Sequence, residues 1–305
     1  MSDIVWKPGA PRAILLATDL DGRCDRALDR AVALAREWQA KLVVLTVVEP
    51  APVPPPRRGE APSTHASEAA LRAAARLRRD IGPLADDLAL ELLVREGAVG
   101  SCIDAVATAS ACSLVVTGVA HDALFGRRFL GSTVAWLSRH GHLPLLVVRN
   151  RVHGAYERMI VASDFSPSSA HALEVARACF PDAAASLFTA FELPYSGLRD
   201  GDRERDVGDL HEATLQKARD FVALHGHAGL PVAAAHGDAA SRLAEHAHAL
   251  DAALVVVASH GRGALFHLLI GSVAREVLDA NPCDTLLVPE PKARSKDAHP
   301  TKQAP

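Results

Sequence analysis

The sequence repeats one order of elements twice. Five short apolar runs rich in valine and leucine occur in the first half, five more follow in the second half, and helix-like stretches separate them. Runs such as AILLAT, LVVLTVV and SLVVTG are continuously apolar rather than alternating, which is typical of strands in a parallel sheet covered on both faces. Stretches such as RALDRAVALAREWQA have amphipathic helical spacing. Each half therefore predicts the order βαβαβαβαβ and an α/β fold.

Two pairs of matching positions set the length of the repeat. Asp19 in LLATDL corresponds to Asp164 in IVASDF, and LGS ending at Ser132 corresponds to IGS ending at Ser272. The separations differ by five residues, which we assign to the loop after the second strand, where the first half carries EPAPVPPPRRGEAPST. Proline excludes a regular helix or central strand there. We predict domains at 1–150 and 151–290, divided near 149–158, and a disordered polar tail at 291–305.

Composition excludes several classes of protein. The 305 residues carry a formal net charge of -3 with 23% charged side chains, so no strong basic excess indicates a nucleic-acid partner. The apolar runs are strand-sized and fall short of the ~20 residues that cross a membrane. The five cysteines are an odd number without CxxC spacing, which favours reduced thiols over a disulfide framework or a zinc site. We expect a cytoplasmic protein without a structural metal, in which the cysteines are small buried apolar residues.

Glycines follow the fourth apolar run of each half. In ASHGRGALFHLLIGSVA they stand at Gly261, Gly263 and Gly271, with Ser272 directly after the last. A glycine-rich turn between a strand and a helix lets main-chain N–H groups approach a phosphate, because no Cβ blocks the way and the helix N-terminus is partly positive. The corresponding stretch of the first half is GVAHDALFGRRFLGST. The pattern indicates a phosphate site in each half.

These stretches, together with RMIVASDFSPSSAHALEVA, resemble the universal stress protein family, and two such domains would cover the chain from Ala13 to Pro289. The family's ATP-binding members carry a glycine, two residues, a second glycine, nine residues and then Gly-Ser or Gly-Thr. Each half departs from this pattern once. Ala258 replaces the first glycine of the second half, and His121 replaces the second glycine of the first half. A methyl group obstructs less than an imidazole ring, so we expect nucleotide contact chiefly in the second half.

The resemblance implies a role for each matching position. The aspartate after the first strand contacts the nucleoside, the residue near the end of the second strand lies against adenine, and the last glycine, its serine and the next amide hold phosphate. Ser272 is expected both to cap its helix and to donate its hydroxyl group. The residues implied in the second half are Ser163, Asp164, Ala190, Ala258, Gly261, Gly271, Ser272 and Val273, and those in the first half are Thr18, Asp19, Val47, Gly118, Gly131, Ser132 and Thr133.

The resemblance also implies the architecture. Each half is expected to be a flavodoxin-like domain of the adenine-nucleotide alpha hydrolase type, with a five-stranded parallel sheet in the order 3-2-1-4-5. The fifth strands, LPLLVV and DTLLVP, would be edge strands, and edge strands need partners. In the family these edges pair across a two-fold axis, so we expect an internal pseudo-dimer of the two halves. A homodimer of whole chains stays open.

Three functions stay open on the sequence alone. The first is a stress-response protein that binds ATP, with or without Mg²⁺, and acts as a non-catalytic sensor or protector. The second is a slow ATPase or self-phosphorylating enzyme using Ser272 or Ser132, although the sequence has no Walker lysine, HExxH or GxSxG motif. The third is a scaffold whose glycines form only a turn and an N-cap, and whose Asp19 and Asp164 cap helices.

Overall fold

The computed structural model describes residues 9–49, 67–119, 131–193, 200–259 and 271–290. The predicted alternation of strands and helices is confirmed in both halves. The strands are β1 (Ala13–Ala17), β2 (Lys41–Val48), β3 (Leu90–Glu96), β4 (Leu114–Gly118), β5 (Leu145–Val148), β6 (Arg158–Ala162), β7 (Ala184–Phe191), β8 (Val232–His236), β9 (Leu254–Ala258) and β10 (Asp284–Val288). The helices are α1 (Asp25–Glu37), α2 (Glu68–Ile81), α3 (Val99–Ala109), α4 (Ser132–His140), α5 (Pro167–Cys179), α6 (Asp200–Leu224), α7 (Ala239–Ala249) and α8 (Ser272–Ala280).

All ten strands form one sheet in the order β3-β2-β1-β4-β5-β10-β9-β6-β7-β8. Within each half the strands are parallel, and the predicted order 3-2-1-4-5 is confirmed. The two fifth strands pair with each other antiparallel, with Leu146 opposite Leu286. The expected edges of the two half-sheets are therefore joined at the centre, and β3 and β8 form the edges of the whole sheet.

The five-residue difference between the halves has two sources, so its assignment to one loop was wrong. Ala13 pairs with Lys41, whereas the equivalent Arg158 pairs with Ala184, so the connection from the first to the second strand is two residues shorter in the second half. Part of the longer connection is a 3-10 turn, Gly22–Cys24, that precedes α1. The remaining three residues lie between the second and third strands. The proline-rich stretch itself falls almost entirely outside the described residues.

Alternating strand residues feed two hydrophobic cores, one on each face of the sheet. Ile14 and Leu16 pack with residues of α1 and α5 on one face, and Leu15 packs with residues of α3 and α7 on the other. Both cores contain residues from both halves, so the central β5–β10 pair is covered on each side. Fully burying one such side chain contributes about 2 kcal/mol, which explains why continuous apolar runs became central strands.

Short polar side chains fix where several helices begin. Ser67 accepts a hydrogen bond from the amide of Ala70 at the start of α2, and Asp238 accepts one from Ser241 at the start of α7. Ser166 does the same for α5, and Pro167 follows it at the first helical position. These are the residue types that satisfy the otherwise unpaired amides of a first helical turn.

The cysteines are free, but only three match the expected burial. Cys112, Cys179 and Cys283 are buried, whereas Cys24 and Cys102 are half-buried. Burial raises the pKa of Cys112 and Cys179 to about 12 and that of Cys283 to about 11, so these three thiols stay protonated near neutral pH. In the described part of the chain, no helix combines the length and the apolar character needed to cross a membrane.

Candidate functional site

The residues expected to bind nucleotide in the second half lie at the carboxyl ends of three neighbouring strands. Asp164 follows β6 by two residues, Ala190 is the penultimate residue of β7, and Ala258 ends β9. These strands are adjacent in the sheet, in the order β9-β6-β7, so the three positions share one edge. In the sheet, β7 and β8 lie on one side of β6, and β9 and β10 lie on its other side. A point where the strand order reverses in this way is where open α/β sheets bind ligands.

Two side chains shape the loop after β6. The Oγ atom of Ser163 accepts a hydrogen bond from the amide of Phe165 at 3.0 Å, and Oδ1 of Asp164 accepts one from the amide of Ser166 at 3.0 Å. Phe165, between Asp164 and Ser166, has φ 62°, in the left-handed region that non-glycine residues rarely occupy. Asp164 is exposed while Ser163 is buried, so the turn presents the carboxylate at the edge of the sheet.

The first half builds the same loop with threonine in place of serine and with the same aspartate. The Oγ1 atom of Thr18 accepts a hydrogen bond from the amide of Leu20 at 3.0 Å, and Oδ1 of Asp19 accepts one from Asp21 at 2.9 Å. Leu20 has φ 62°, like its counterpart in the second half. The two loops therefore have the same backbone shape, and Asp19 and Asp164 occupy equivalent positions in it.

Neither aspartate caps a helix, so that alternative reading of Asp19 and Asp164 was wrong. The N-cap of α5 is Ser166, which leaves Asp164 in a turn two residues earlier. In the first half Oδ1 of Asp19 also accepts a hydrogen bond from the thiol of Cys24 at 3.0 Å. Burial is the main reason why the pKa of this thiol is raised. Sequence reasoning missed the contact because a cysteine five residues after an aspartate carries no recognisable signal.

The end of the second glycine stretch is hydrogen-bonded to the residue that directly follows β9. The amide of Gly271 donates to the carbonyl oxygen of Ser259 at 2.9 Å, and the amide of Ser259 donates to Val288 at 2.8 Å. Ser259 directly follows Ala258, so this bond brings the start of α8 to the edge that carries Asp164. Gly271 itself uses its N–H in the fold, so the amides left for a phosphate at this helix end are those that follow it.

Helix α8 begins at Ser272, but its N-cap is Gly271 and no side chain caps it. The expectation that Ser272 caps α8 was therefore wrong, because Ser272 occupies the first helical position, one residue too late for that role. Its side chain is exposed, and Val273 is 43% exposed at the next position. The main-chain amides and the Ser272 hydroxyl thus stand at the positive end of the helix dipole.

The motif glycines within the described residues, Gly118, Gly131 and Gly271, are not required by backbone geometry. Gly271 has φ -58° and ψ 145°, which any residue adopts. A Cβ built on Gly271 would lie 3.6 Å from the carbonyl oxygen of Ser259, an ordinary van der Waals distance. Ala258 and Gly118 are also absent from the described residues with positive φ, so alanine fits at 258 without strain. The described part of the fold therefore accommodates a Cβ at 271 without a clash.

The first half repeats this arrangement. Gly118 ends β4 opposite Val148, as Ala258 ends β9 opposite Val288. Gly131 is the N-cap of α4, with φ -54° and ψ 149°, and the helix begins at Ser132, which is exposed, followed by the half-buried Thr133. Val47 and Ala190 are likewise equivalent, since each is half-buried at the end of its strand and packs on the same face.

A basic side chain from the helix after the second strand touches each aspartate loop, which the sequence analysis did not anticipate. The guanidinium group of Arg76 in α2 donates to the carbonyl oxygen of Leu20. The ammonium group of Lys217 in α6 lies 4.7 Å from the centre of the Phe165 ring. The two contacts differ in chemistry but place a cation against the same loop position in each half.

Several predicted positions fall outside the described residues: Gly261, Gly263, His121 and the tail 291–305. Within the described ranges, no group of three or more His, Cys, Asp or Glu side chains is arranged to hold a metal ion. The residues that are described fit a nucleotide, because an exposed carboxylate, a small half-buried strand residue and a helix N-terminus share one edge of the sheet.

Comparison with known proteins agrees with the fold. The family model described as the universal stress protein family matches residues 11–149 and again 155–289. A protein of Pseudomonas aeruginosa PAO1, described as functionally unknown, has 22% identity and a TM-score of 0.64, covering 92% of this chain and 93% of that chain. A universal stress protein from Archaeoglobus fulgidus has 17% identity and a TM-score of 0.64, covering 92% and 96%.

A shorter universal stress protein, solved in complex with cAMP, has 27% identity and a TM-score of 0.33, and it covers 44% of this chain. No curated protein matches the sequence. The two long matches show the fold, a flavodoxin-like α/β arrangement present twice. Because the family model matches both halves and most of the sequence, the chain belongs to the universal stress protein family as a tandem two-domain member.

Proposed function

We propose that this protein binds ATP or a related adenine nucleotide, chiefly in its second half, and acts in the cytoplasm as a non-catalytic stress sensor or protector. The observation that carries the proposal is Gly271. The described residues would accommodate a Cβ at this position, yet the chain has glycine at the N-terminus of α8, at the same edge as Asp164. A phosphate approaching the following amides explains why a side chain is absent.

Each residue has a defined part in the proposed complex. Asp164 is held by its turn so that its carboxylate faces outward, where it accepts hydrogen bonds from the nucleoside. Ala190, beside Ala235 in the sheet, gives a flat apolar surface to the base. The amides of Ser272 and Val273 and the Ser272 hydroxyl bind phosphate, and Mg²⁺ would arrive with the nucleotide to neutralise part of its charge.

The first half carries the weaker of the two proposed sites. Its aspartate loop, its small strand end and its helix N-terminus match those of the second half. His121 stands where the family pattern has its second glycine, and a ring is a larger obstruction than a hydrogen atom. We therefore propose one tight site for each chain, with Thr18, Asp19, Val47, Gly118, Gly131, Ser132 and Thr133 forming a weaker second site.

Calorimetric titration of nucleotide-free protein with Mg-ATP tests this proposal. One site for each chain supports an intact second half, and two sites mean that His121 is tolerated. Competition with ADP, AMP, cAMP and GTP then defines which part of the ligand is recognised. Absence of heat together with absence of thermal stabilisation would reject nucleotide binding in favour of a scaffold.

Turnover is tested separately, with the same protein and Mg-ATP. Phosphate release that rises in proportion to protein concentration, or ³²P transfer from the γ-phosphate to Ser272 or Ser132, would replace the non-catalytic sensor with a slow ATPase or autokinase. Replacing each serine by alanine locates the modified residue, because both serines are exposed at the first position of a helix. Binding without either signal supports the sensor.

A further inference from the structure

The two strands that join the halves, β5 and β10, could also pair with the same strands of a second copy of the chain. Strands β5 and β10 are short, apolar and equivalent, and they pair antiparallel with Leu146 opposite Leu286. Because the two strands are so alike, β10 of one chain offers nearly the same edge to β10, or to β5, of a second copy. Exposed edges of this kind are templates for pairing between chains, so something besides the strands must select pairing within one chain.

A buried charged side chain is present at the start of β10 and has no equivalent in β5. Asp284 begins β10 at the position that Pro144 occupies before β5, and it is fully buried. Its Oδ1 accepts hydrogen bonds from the amides of Arg149 and Asn150 at 2.7 and 3.0 Å. Its Oδ2 accepts one from the hydroxyl of Tyr156 at 2.6 Å. These three donors belong to the segment that connects the halves.

The same segment is held from the other side by α1. The guanidinium group of Arg30 lies 4.0 Å from the centre of the Tyr156 ring, donates to the carbonyl oxygen of Gly154 at 2.8 Å and stands 3.6 Å from Oδ2 of Asp284. Arg26 donates to the carbonyl oxygen of Arg149 at 2.6 Å. We call Arg30, Tyr156 and Asp284, with the segment 149–157, the interdomain clasp.

Aromatic packing closes the clasp. Phe180 directly follows α5 and Trp38 directly follows α1, and their ring centres lie 5.5 Å apart across the joint. Phe180 also meets Tyr156 edge-on at 5.2 Å. Tyr156 is 4% exposed, and both its burial and the neighbouring Asp284 carboxylate raise its pKa, so the hydroxyl keeps its proton and remains a donor.

We propose that the interdomain clasp makes the β5–β10 pairing specific to one chain, and that without it these strands become an interface for a second copy of the protein. The donors of Arg149, Asn150 and Tyr156 lie beside Asp284 because β5 runs antiparallel to β10, with Val147 opposite Thr285. Pairing of β10 with β10 of another copy would bury two such carboxylates away from those donors. A buried charge without partners is strongly unfavourable, so that arrangement is rejected.

The connecting segment supplies a second layer of selection. Exchange of halves between two copies would keep β5 opposite β10 but would redirect residues 149–157 to reach the other copy. Gly154 would then lose its hydrogen bond with Arg30, and Tyr156 would lose its hydrogen bond with Asp284. The clasp therefore favours the closed chain over the exchanged dimer as well as over the like-with-like pairs. This inference is independent of nucleotide binding.

The test compares the wild type with Tyr156→Phe, which removes one hydroxyl, and Asp284→Ala, which removes the carboxylate. The matched control is Asp87→Asn, because Asp87 forms an ion pair with Arg36 in which both side chains are about half exposed. Donor-labelled and acceptor-labelled batches of each protein are mixed, and energy transfer reports exchange of halves. We expect exchange at least about tenfold faster in Asp284→Ala than in the wild type, and unchanged exchange in Asp87→Asn.

A disulfide across the joint gives a direct readout. Val147→Cys combined with Thr285→Cys places two thiols on directly opposite residues. After oxidation, the clasp-intact protein should run as one chain on a denaturing gel, and the clasp variants should add a covalent dimer. Equal exchange and only the single-chain product in folded Tyr156→Phe and Asp284→Ala would overturn the proposal. If Asp284→Ala does not fold, Tyr156→Phe decides between the two outcomes.

Discussion

The amide of Gly271 donates to the carbonyl oxygen of Ser259, at a distance of 2.9 Å, and this bond ties the first turn of α8 to the end of β9. This bond holds the backbone of Gly271 in place, and the backbone sets the direction in which a Cβ at 271 would point. Among the described residues, a Cβ there meets the Ser259 carbonyl oxygen alone, at 3.6 Å. Position 271 therefore offers a way to separate the needs of the fold from those of a ligand.

Gly271→Val should leave the thermal midpoint within a few degrees of wild type and weaken Mg-ATP binding at least about tenfold, which corresponds to about 1.4 kcal/mol. The reason is that the described residues accommodate a Cβ at 271, whereas the side chain occupies the space proposed for the phosphate. Gly208→Val is the matched control, because Gly208 lies in α6 with nothing within 4 Å of its Cβ position. Calorimetry on both variants gives the result, and unchanged affinity in Gly271→Val would remove this site from consideration.

Asp164→Asn tests the nucleoside contact without disturbing the loop. An asparagine keeps the side-chain oxygen that accepts the Ser166 amide, but it loses the charge. We expect affinity for Mg-ATP to fall about tenfold, since hydrogen bonds to a charged group contribute about 1.5–3 kcal/mol. Asp19→Asn makes the same change in the first half and should affect the tight site little. A larger loss from Asp19→Asn than from Asp164→Asn would exchange the roles of the two halves.

Gly100→Ala tests packing in the first half. A Cβ on Gly100 in α3 would overlap Cδ2 and Cε3 of Trp136 in α4. Forcing these atoms apart should lower the free energy of unfolding by about 1–3 kcal/mol, measured by urea denaturation. The equivalent helix α7 carries Ala240 at this position, where it is buried without a tryptophan opposite.

The double variant Gly100→Ala with Trp136→Leu checks the cause. It should recover part of the stability lost in Gly100→Ala, because the smaller side chain leaves room for the new methyl group. Gly208→Ala provides the baseline for glycine replacement in an open helical position and should stabilise α6 by up to about 1 kcal/mol. Additive losses in the double variant would show that Trp136 is not the obstruction.

Much of this structure could be predicted because repetition reinforces a weak signal. Ten apolar runs in a repeated order gave the strands, and the resemblance to the family gave the sheet order. Equivalent residues such as Asp19 and Asp164 occupy equivalent turns. Helix starts were harder, because capping depends on a one-residue shift. Ser272 was predicted to cap α8, whose N-cap is Gly271. Asp164 was considered as a cap of α5, whose N-cap is Ser166, and Asp19 as a cap of α1, which no side chain caps.

The interdomain clasp was not predicted, since its three side chains are far apart in sequence. Arg30 and Asp284 are 254 positions apart, and neither lies in a motif. A charged residue at the start of the apolar run DTLLVP was a signal in retrospect, because a buried carboxylate requires partners. Which partners it finds depends on the antiparallel joint, and only the folded chain supplies that information.

His246 gives the protein a predictable dependence on pH. Its ring stacks on Phe188 with centres 5.0 Å apart, and its Nε2 atom is buried without a hydrogen-bond partner in the described structure. Burial lowers the pKa of this imidazole below its ordinary value of 6.5. The folded state therefore resists protonation more than the unfolded chain does, and this contribution to stability is complete above pH 6.5 and is lost as pH falls through the folded pKa.

We expect the urea midpoint of the wild type to decrease between pH 7.5 and 5, and His246→Gln to have a smaller decrease. His171 and His227 also have pKa values lowered chiefly by burial, so the variant should flatten the profile without abolishing its slope. His248, an exposed residue two positions along α7, supplies the control His248→Gln, which should keep the wild-type slope. Equal slopes for the wild type and both variants would mean that His246 becomes charged without cost in the folded protein.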